Sequence, residues 1–160
     1  MDHLYAPWRN EYFEGRSEDC PFCLEKKIQS DEELGVIFRA KHCFGMMNRY
    51  PYSPGHFMII PYSHEERIEA LEEEAWQEMS ALVRWGVKIL KEHLKAGGVN
   101  IGMNLSADAG AGIAAHCHYH LVPRWAGDTN FITTIAHTRV YGSDKDAIYR
   151  LLFEAFKNAE

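Results

Sequence analysis

The spacing of apolar and polar residues predicts five short strands and one long helix. "LGVIFRAKHCFGMMN" reads as two strands about a turn at Ala40-Lys41-His42. "NRYPYSPGH" breaks the chain with two prolines and a glycine, and "HFMIIP" follows as a third strand. Between residues 63 and 98, Ile68, Leu71, Ala75, Met79, Leu82, Trp85 and Ile89 recur at three- and four-residue steps and mark one face of a long helix. Glutamates crowd its start and Lys88, Lys91 and Lys95 its end, as the helix dipole favours, and Gly97-Gly98 stops it. "VNIGMNL" is a fourth strand and "SADAGAGIA" a small-residue loop. "AHCHYHLVPRW" alternates as a fifth strand up to Pro123, and "DAIYRLLFEAFKN" closes the chain as an amphipathic helix. "LEKKIQSDEE" is a short helix or a loop. Strands with hairpin-length links around one long helix predict an α+β fold with a mainly antiparallel sheet.

The 160 residues suit one domain, 1–160, with an N-terminal arm over about residues 1–30. The formal net charge of -6 argues against nucleic acid or an anionic membrane as partner. An anionic substrate must then be held by local donors. No apolar run approaches the ~20 residues of a membrane span. "MDHLYAPWRNEYF" lacks the features of a signal peptide, so the expected compartment is the cytoplasm. In a reducing compartment, Cys20, Cys23, Cys43 and Cys117 point to metal binding or buried thiols before disulfides. Cys43 and Cys117 lie on apolar strands and read as packing residues.

Candidate chemistry concentrates in "AAHCHYHLVPRW". In a strand, His116, His118 and His120 share one face while Cys117, Tyr119 and Leu121 share the other. Three imidazoles in a row are costly to bury without partners. They suit either metal ligation or a nucleophile toward phosphorus whose ring is oriented through its other nitrogen. The preceding "GMNLSADAGAGIAAH" carries Asn104, Ser106, Gly110 and Gly112, small residues that let backbone N–H groups approach an anion. That loop favours phosphoryl or nucleotidyl transfer over a metal-only site. "DCPFC" supplies a C-x-x-C pair, suited to one tetrahedral zinc with two further ligands. A thiol-exchange motif is the alternative, but the polar "FEGRSED" before it is no buried strand.

"HCHYHLVPR" resembles the signature of the histidine triad family. "FGMMNRYPYSPGHFMIIPYSHEERIEAL" resembles the upstream half of that domain. "PRWAGDTNFITTIAHTRV" and "LYAPWRNEYF" resemble its bacterial diadenosine tetraphosphate phosphorylase branch, so that the likeness spans roughly residues 4 to 142. The resemblance implies a five-stranded, mainly antiparallel sheet with one long helix and a C-terminal helix. It implies that His118 attacks the α-phosphorus of a nucleoside 5′-phosphoryl compound, adenosine favoured, and that water or inorganic phosphate then releases the nucleotide. His120 would donate to nonbridging oxygens, with Asn104 and the loop amides through Ser106 and Gly112. Asn48 would hold the ribose, with Phe44 and Met46 beside the base or in the core. Cys20, Cys23, His64 and His116 would hold a structural zinc. A homodimer or tetramer is implied as well.

Departures from the pattern matter too. Gly112 stands where many members carry Ser or Gln, and Ser106 where the phosphorylase branch commonly has glycine. Either Ser106 supplies the missing donor or the leaving-group chemistry differs. His56 reads as a structural hydrogen-bonding residue. His3, His42, His93 and His137 read as surface residues. Arg124 reads as a distal-phosphate contact or a salt bridge, and Asp128 and Asn130 as a loop open to substrate or a partner. Three alternatives stay open. These are phosphate-independent hydrolysis of dinucleotides or adenylylated amines, a non-catalytic zinc-stapled nucleotide-binding module, and a metal enzyme ligated by all three triad histidines.

Overall fold

The computed structural model describes residues 20–136 and 142–158. His3, His137, the "LYAPWRNEYF" opening, the end of "FITTIAHTRV" and the arm before Cys20 lie outside them. The chain forms α1 (Asp31–Leu34), β1 (Val36–Arg39), β2 (Cys43–Met47), β3 (Phe57–Pro61), α2 (Glu73–His93), β4 (Gly98–Gly102), β5 (Tyr119–Arg124), α3 (Phe131–Ala136) and α4 (Lys145–Lys157). All five strands join one antiparallel sheet in the order β1-β2-β3-β5-β4, as expected. Among the described residues no helix is long and apolar enough to cross a membrane.

Strand alternation splits the core in two. Cys43 and Met47 of β2, Phe57 and Ile59 of β3 and Leu121 of β5 face α2 and α4, where Met79, Leu90 and Leu152 complete one cluster. Phe44, Met46, Met58 and Ile60 face the other way and gather Phe22 and Leu24 of the arm, with Ile113 of the β4–β5 loop against them. Met58 pairs with His120, so the histidines belong to this second face. Behind them the helix comes close. A Cβ on Gly86 of α2 would lie 2.8 Å from both the Leu121 and the Phe57 side chains. Gly45 plays the same part under Phe38, whose ring stacks on Phe156 at 4.4 Å.

Two expectations about boundaries need correction. Helix α2 starts at Glu73, about ten residues later than the apolar steps suggested, and Ile68 and Leu71 lie outside it. The segment before it is tied elsewhere. The Cys117 N–H donates to the Glu65 carbonyl at 2.7 Å, and the Arg67 N–H donates to the Glu65 carboxylate at 3.0 Å. One long-range tie and one local side-chain bond together outweigh helix propensity, which is a weak preference. Strand β5 in turn begins only at Tyr119 and runs through Pro123, which pairs with Val99. Pairing with β3 ends at Leu121, so the proline sits where β5 has one neighbour and its missing N–H is tolerated.

The β1–β2 turn is held by a side chain of α2. Glu78 accepts the His42 N–H at 2.6 Å and the Lys41 N–H at 3.2 Å. Hydrogen bonds to a charged group each stabilise by roughly 1.5–3 kcal/mol at best, less when partly solvated. Glu78→Ala is expected to lower stability by about 1–3 kcal/mol, read as an earlier urea midpoint, with unchanged metal content. An unchanged midpoint would show that the turn stands without the carboxylate.

Candidate active site and metal centre

His116 organises this face. It is fully buried, and its Nε2–H donates to the Pro61 carbonyl at 2.8 Å. That assignment leaves Nδ1 bare, 3.5 Å from Cys20 Sγ. Cys23 Sγ lies 3.2 Å from His64 Nδ1. One ligand atom from each of Cys20, Cys23, His64 and His116 falls within 4.8 Å of the others, so the four fit a metal ion. The structure thus brings together the four residues named for a metal. The pair does not open a long helix as a thiol exchanger's does, because Cys23 precedes a three-residue 3-10 turn, Leu24–Lys26.

The other end of His116 reaches the next ring. Its backbone carbonyl accepts from His118 Nδ1 at 2.8 Å, so Nδ1 carries the proton and Nε2 is a bare lone pair. Burial lowers the pKa of His118, opposed by the hydrogen bond to the carbonyl. The arrangement can present a neutral imidazole as a nucleophile.

His120 is fixed by a residue that the sequence pattern marked only as structural. His56, 0% exposed, accepts the Tyr52 N–H on Nδ1 at 3.1 Å. Its proton is therefore on Nε2, which donates to His120 Nδ1 at 3.0 Å. His120 in consequence carries its own proton on Nε2. Burial, then the neighbouring His120 and His118, push the pKa of His56 down to about 3. Burial, then His118, push that of His120 down to about 4. A bare nitrogen on His118 and an N–H on His120 thus stand in rings whose centroids are 4.7 Å apart. Nothing in the sequence alone signals the role of His56. It becomes visible only once Met58 is known to pair with His120, which sets the residue before Phe57 diagonally beside that ring.

Asn48 joins this group. Its Oδ1 accepts the Tyr50 N–H at 2.8 Å, and its Nδ2 lies 3.4 Å from His56 Nε2. Asn104, Ser106 and Gly112 are on a loop pinned at both ends, since Gly102 pairs with His120 and the loop returns at His116. Asn104 is half-buried, whereas Ser106 and Gly112 are exposed, and among the described residues none of the three is hydrogen-bonded to the triad rings. Ser106 holds φ 67° and ψ 169°, a conformation that favours glycine.

The remaining candidates separate. Phe44 is fully buried against Tyr62 and Met46 is nearly so, which makes Phe44 a core residue. Arg124 is engaged by its own neighbours, donating to Asp128 at 2.6 and 2.9 Å and to Asn100 Oδ1 at 3.0 Å. Of the two roles expected for it, the salt bridge is the one observed. Among the described residues the group whose ligand atoms lie close enough to share one metal ion is Cys20, Cys23, His64 and His116, and His118 and His120 are not part of it.

Long-range proton–nitrogen spectra at pH 7 are expected to show a proton on Nδ1 of His118 and on Nε2 of both His56 and His120. His56 and His120 should stay neutral at pH 5.5. Folding lowers both pKa values from the ordinary ~6.5, so the folded state binds fewer protons than the unfolded one between that value and about 4. Their contribution to stability is complete above pH ~6.5 and declines as the pH falls through this window. Protonation of either ring at pH 6 would refute the assignment.

Residues 29–127 match the HIT domain model. AP-4-A phosphorylase of Mycobacterium tuberculosis is 40% identical over 150 residues, spanning 88% of this chain and 76% of that protein. A bis(5'-nucleosyl)-tetraphosphatase [asymmetrical] of Schizosaccharomyces pombe is 29% identical over 58% of this chain and half of its own. The crystal structure of a Zn-bound histidine triad family protein from Mycobacterium smegmatis superposes with TM-score 0.70 at 26% identity, covering 89% of this chain and 99% of that one. The pairing of strands, the triad face and these likenesses agree, and the chain belongs to the HIT family.

Proposed function

We propose that this protein is a diadenosine tetraphosphate phosphorylase that works through a covalent adenylyl-histidine. The observation that carries the reading is the buried His118 ring, tied through Nδ1–H to the His116 carbonyl with Nε2 bare. The mycobacterial AP-4-A phosphorylase supplies the reaction class. His118 Nε2 attacks the α-phosphorus, a P–N bond forms, and the P–O bond to the leaving ATP breaks. Inorganic phosphate then attacks the same phosphorus and releases ADP and free His118. His120 Nε2–H donates to a nonbridging oxygen as charge grows there, and Asn104 and the amides of the loop through Ser106 and Gly112 share that work. Asn48 holds the ribose, and Met46, a nearly buried member of the second cluster, flanks the base. Burial disfavours the charged form of the His118 and His120 rings, so hydrogen-bond donors carry the growing charge.

Zinc is the metal that the ligand set favours. Zinc–sulfur bonds of about 2.3 Å and zinc–nitrogen bonds of about 2.0–2.1 Å at tetrahedral angles set neighbouring ligands about 3.6 Å apart. The 3.5 Å and 3.2 Å spacings across Cys20–His116 and Cys23–His64 are close to that. With four protein ligands the ion is structural, and it fastens the arm to the residues just ahead of His118.

The deciding experiment incubates the protein with diadenosine tetraphosphate, with and without phosphate, and identifies products by mass spectrometry. ADP plus ATP formed only with phosphate is expected. AMP plus ATP without phosphate would replace the phosphorylase by a hydrolase. In His118→Ala, turnover should fall by roughly a thousandfold or more, with no adenylylated protein on a denaturing gel. Metal analysis should find about one zinc per chain. Cys23→Ser should lose that zinc and melt earlier by calorimetry. A Cys23→Ser protein that melts like the parent would remove the structural ion.

A further inference from the structure

We propose that Phe22 is a positioning residue for the nucleophile, its ring holding the His118 imidazole in the pose that presents Nε2 and so passing the state of the metal-binding arm to the reacting atom. The proposal rests on the reading of His118 as nucleophile. Phe22 lies between Cys20 and Cys23 in the sequence. It is 3% exposed and sits edge-on to two of the three triad rings, 5.0 Å and 65° from His118 and 5.5 Å and 86° from His116.

Among the described residues, hydrogen bonding holds the His118 ring at one atom, through Nδ1–H to the His116 carbonyl. One such bond sets the tautomer but leaves the ring plane free to rock about it. Rings on two sides limit that motion, His120 at 4.7 Å and 74° and Phe22 at 5.0 Å. His120 is itself anchored by His56. Phe22 itself lies in a turn, outside any strand or long helix. Its backbone is fixed by the turn in which the Cys23 N–H donates to the Cys20 carbonyl at 3.3 Å, and by the contacts of those two thiols with His116 and His64. The second apolar cluster, with Val36, Met46 and Met58, receives the ring once it is there. The wall of the nucleophile is therefore carried on the metal knuckle. A misplacement of about 1 Å at a reacting group can cost on the order of a hundredfold in rate.

The test uses the full chain as wild type, Phe22→Ala and Phe22→Leu. It reads zinc content, KM, the single-turnover rate of adenylylation, and the nitrogen spectrum of the His118 ring. Phe22→Ala is expected to keep its zinc and a KM within about threefold, to adenylylate roughly ten- to a hundredfold more slowly, and to lose the single-tautomer signature of His118 while His56 and His120 keep theirs. Phe22→Leu, which restores bulk without the ring edge, should fall between. Chelation should slow the wild type more than it slows Phe22→Ala, since both changes act through one wall. Loss of zinc from both variants would make Phe22 a structural part of the knuckle and overturn the proposal. A rise in KM at an unchanged adenylylation rate would overturn it in favour of nucleotide contact. Wild-type rates and ring signals in Phe22→Ala would overturn it outright. If wild-type protein fails to turn over diadenosine tetraphosphate, the spectrum of His118 in the variants still decides this point separately from the proposed reaction.

Discussion

The 2.8 Å bond from the His118 ring to the His116 carbonyl is the joint on which the site depends. It costs the chain nothing in added side chains, because the acceptor is backbone. It does require that backbone to be held still, and His116 meets the requirement with its own ring, donating through one nitrogen to Pro61 and offering the other to Cys20. The same residue is thus buried, bonded to β3 and turned toward the Cys20 thiol. Each tie constrains the carbonyl that orients the next imidazole. The Cys117 N–H bond to Glu65 fastens the intervening residue as well, so the approach to β5 is fixed at consecutive positions without being a strand.

Burial gives this face its electrostatic character. Three histidines and His56 share one small region, and stripping them of water disfavours the charged form of each. Neutral rings have defined donors and acceptors, so hydrogen bonds to carbonyls and amides can sort them into separate duties. A charged ring would offer two donors and lose that distinction. The chain's net charge of -6 therefore bears little on the site, where direction of N–H groups matters more than overall field.

Much of this was legible in the sequence because it follows from short periods. The strands, their antiparallel pairing and the shared face of His118 and His120 come from alternation over a few residues. The cysteine spacing and the triad spacing are equally local. What the sequence did not carry is what depends on distant partners. The ten residues before α2 have helical periodicity, yet Cys117 and the Glu65 side chain hold them in another shape. The late start of β5 has the same origin. His56 and Phe22 gain their contacts through sheet pairing and through the arm's return, and no spacing in the chain announces either. Arg124 was ambiguous because a guanidinium suits a phosphate and a carboxylate equally, and Asp128 four residues on decides it.

The loop between β4 and β5 leaves the sheet opposite His120 and comes back at His116. Its two ends are therefore set by residues whose geometry is maintained by other parts of the chain. Between them, the exposed residues from Leu105 to Gly110 make none of the hydrogen bonds that set the protons on the rings. The shape of the loop's exposed tip and the proton arrangement of the rings are therefore set by different parts of the chain, so that one can alter while the other keeps its direction.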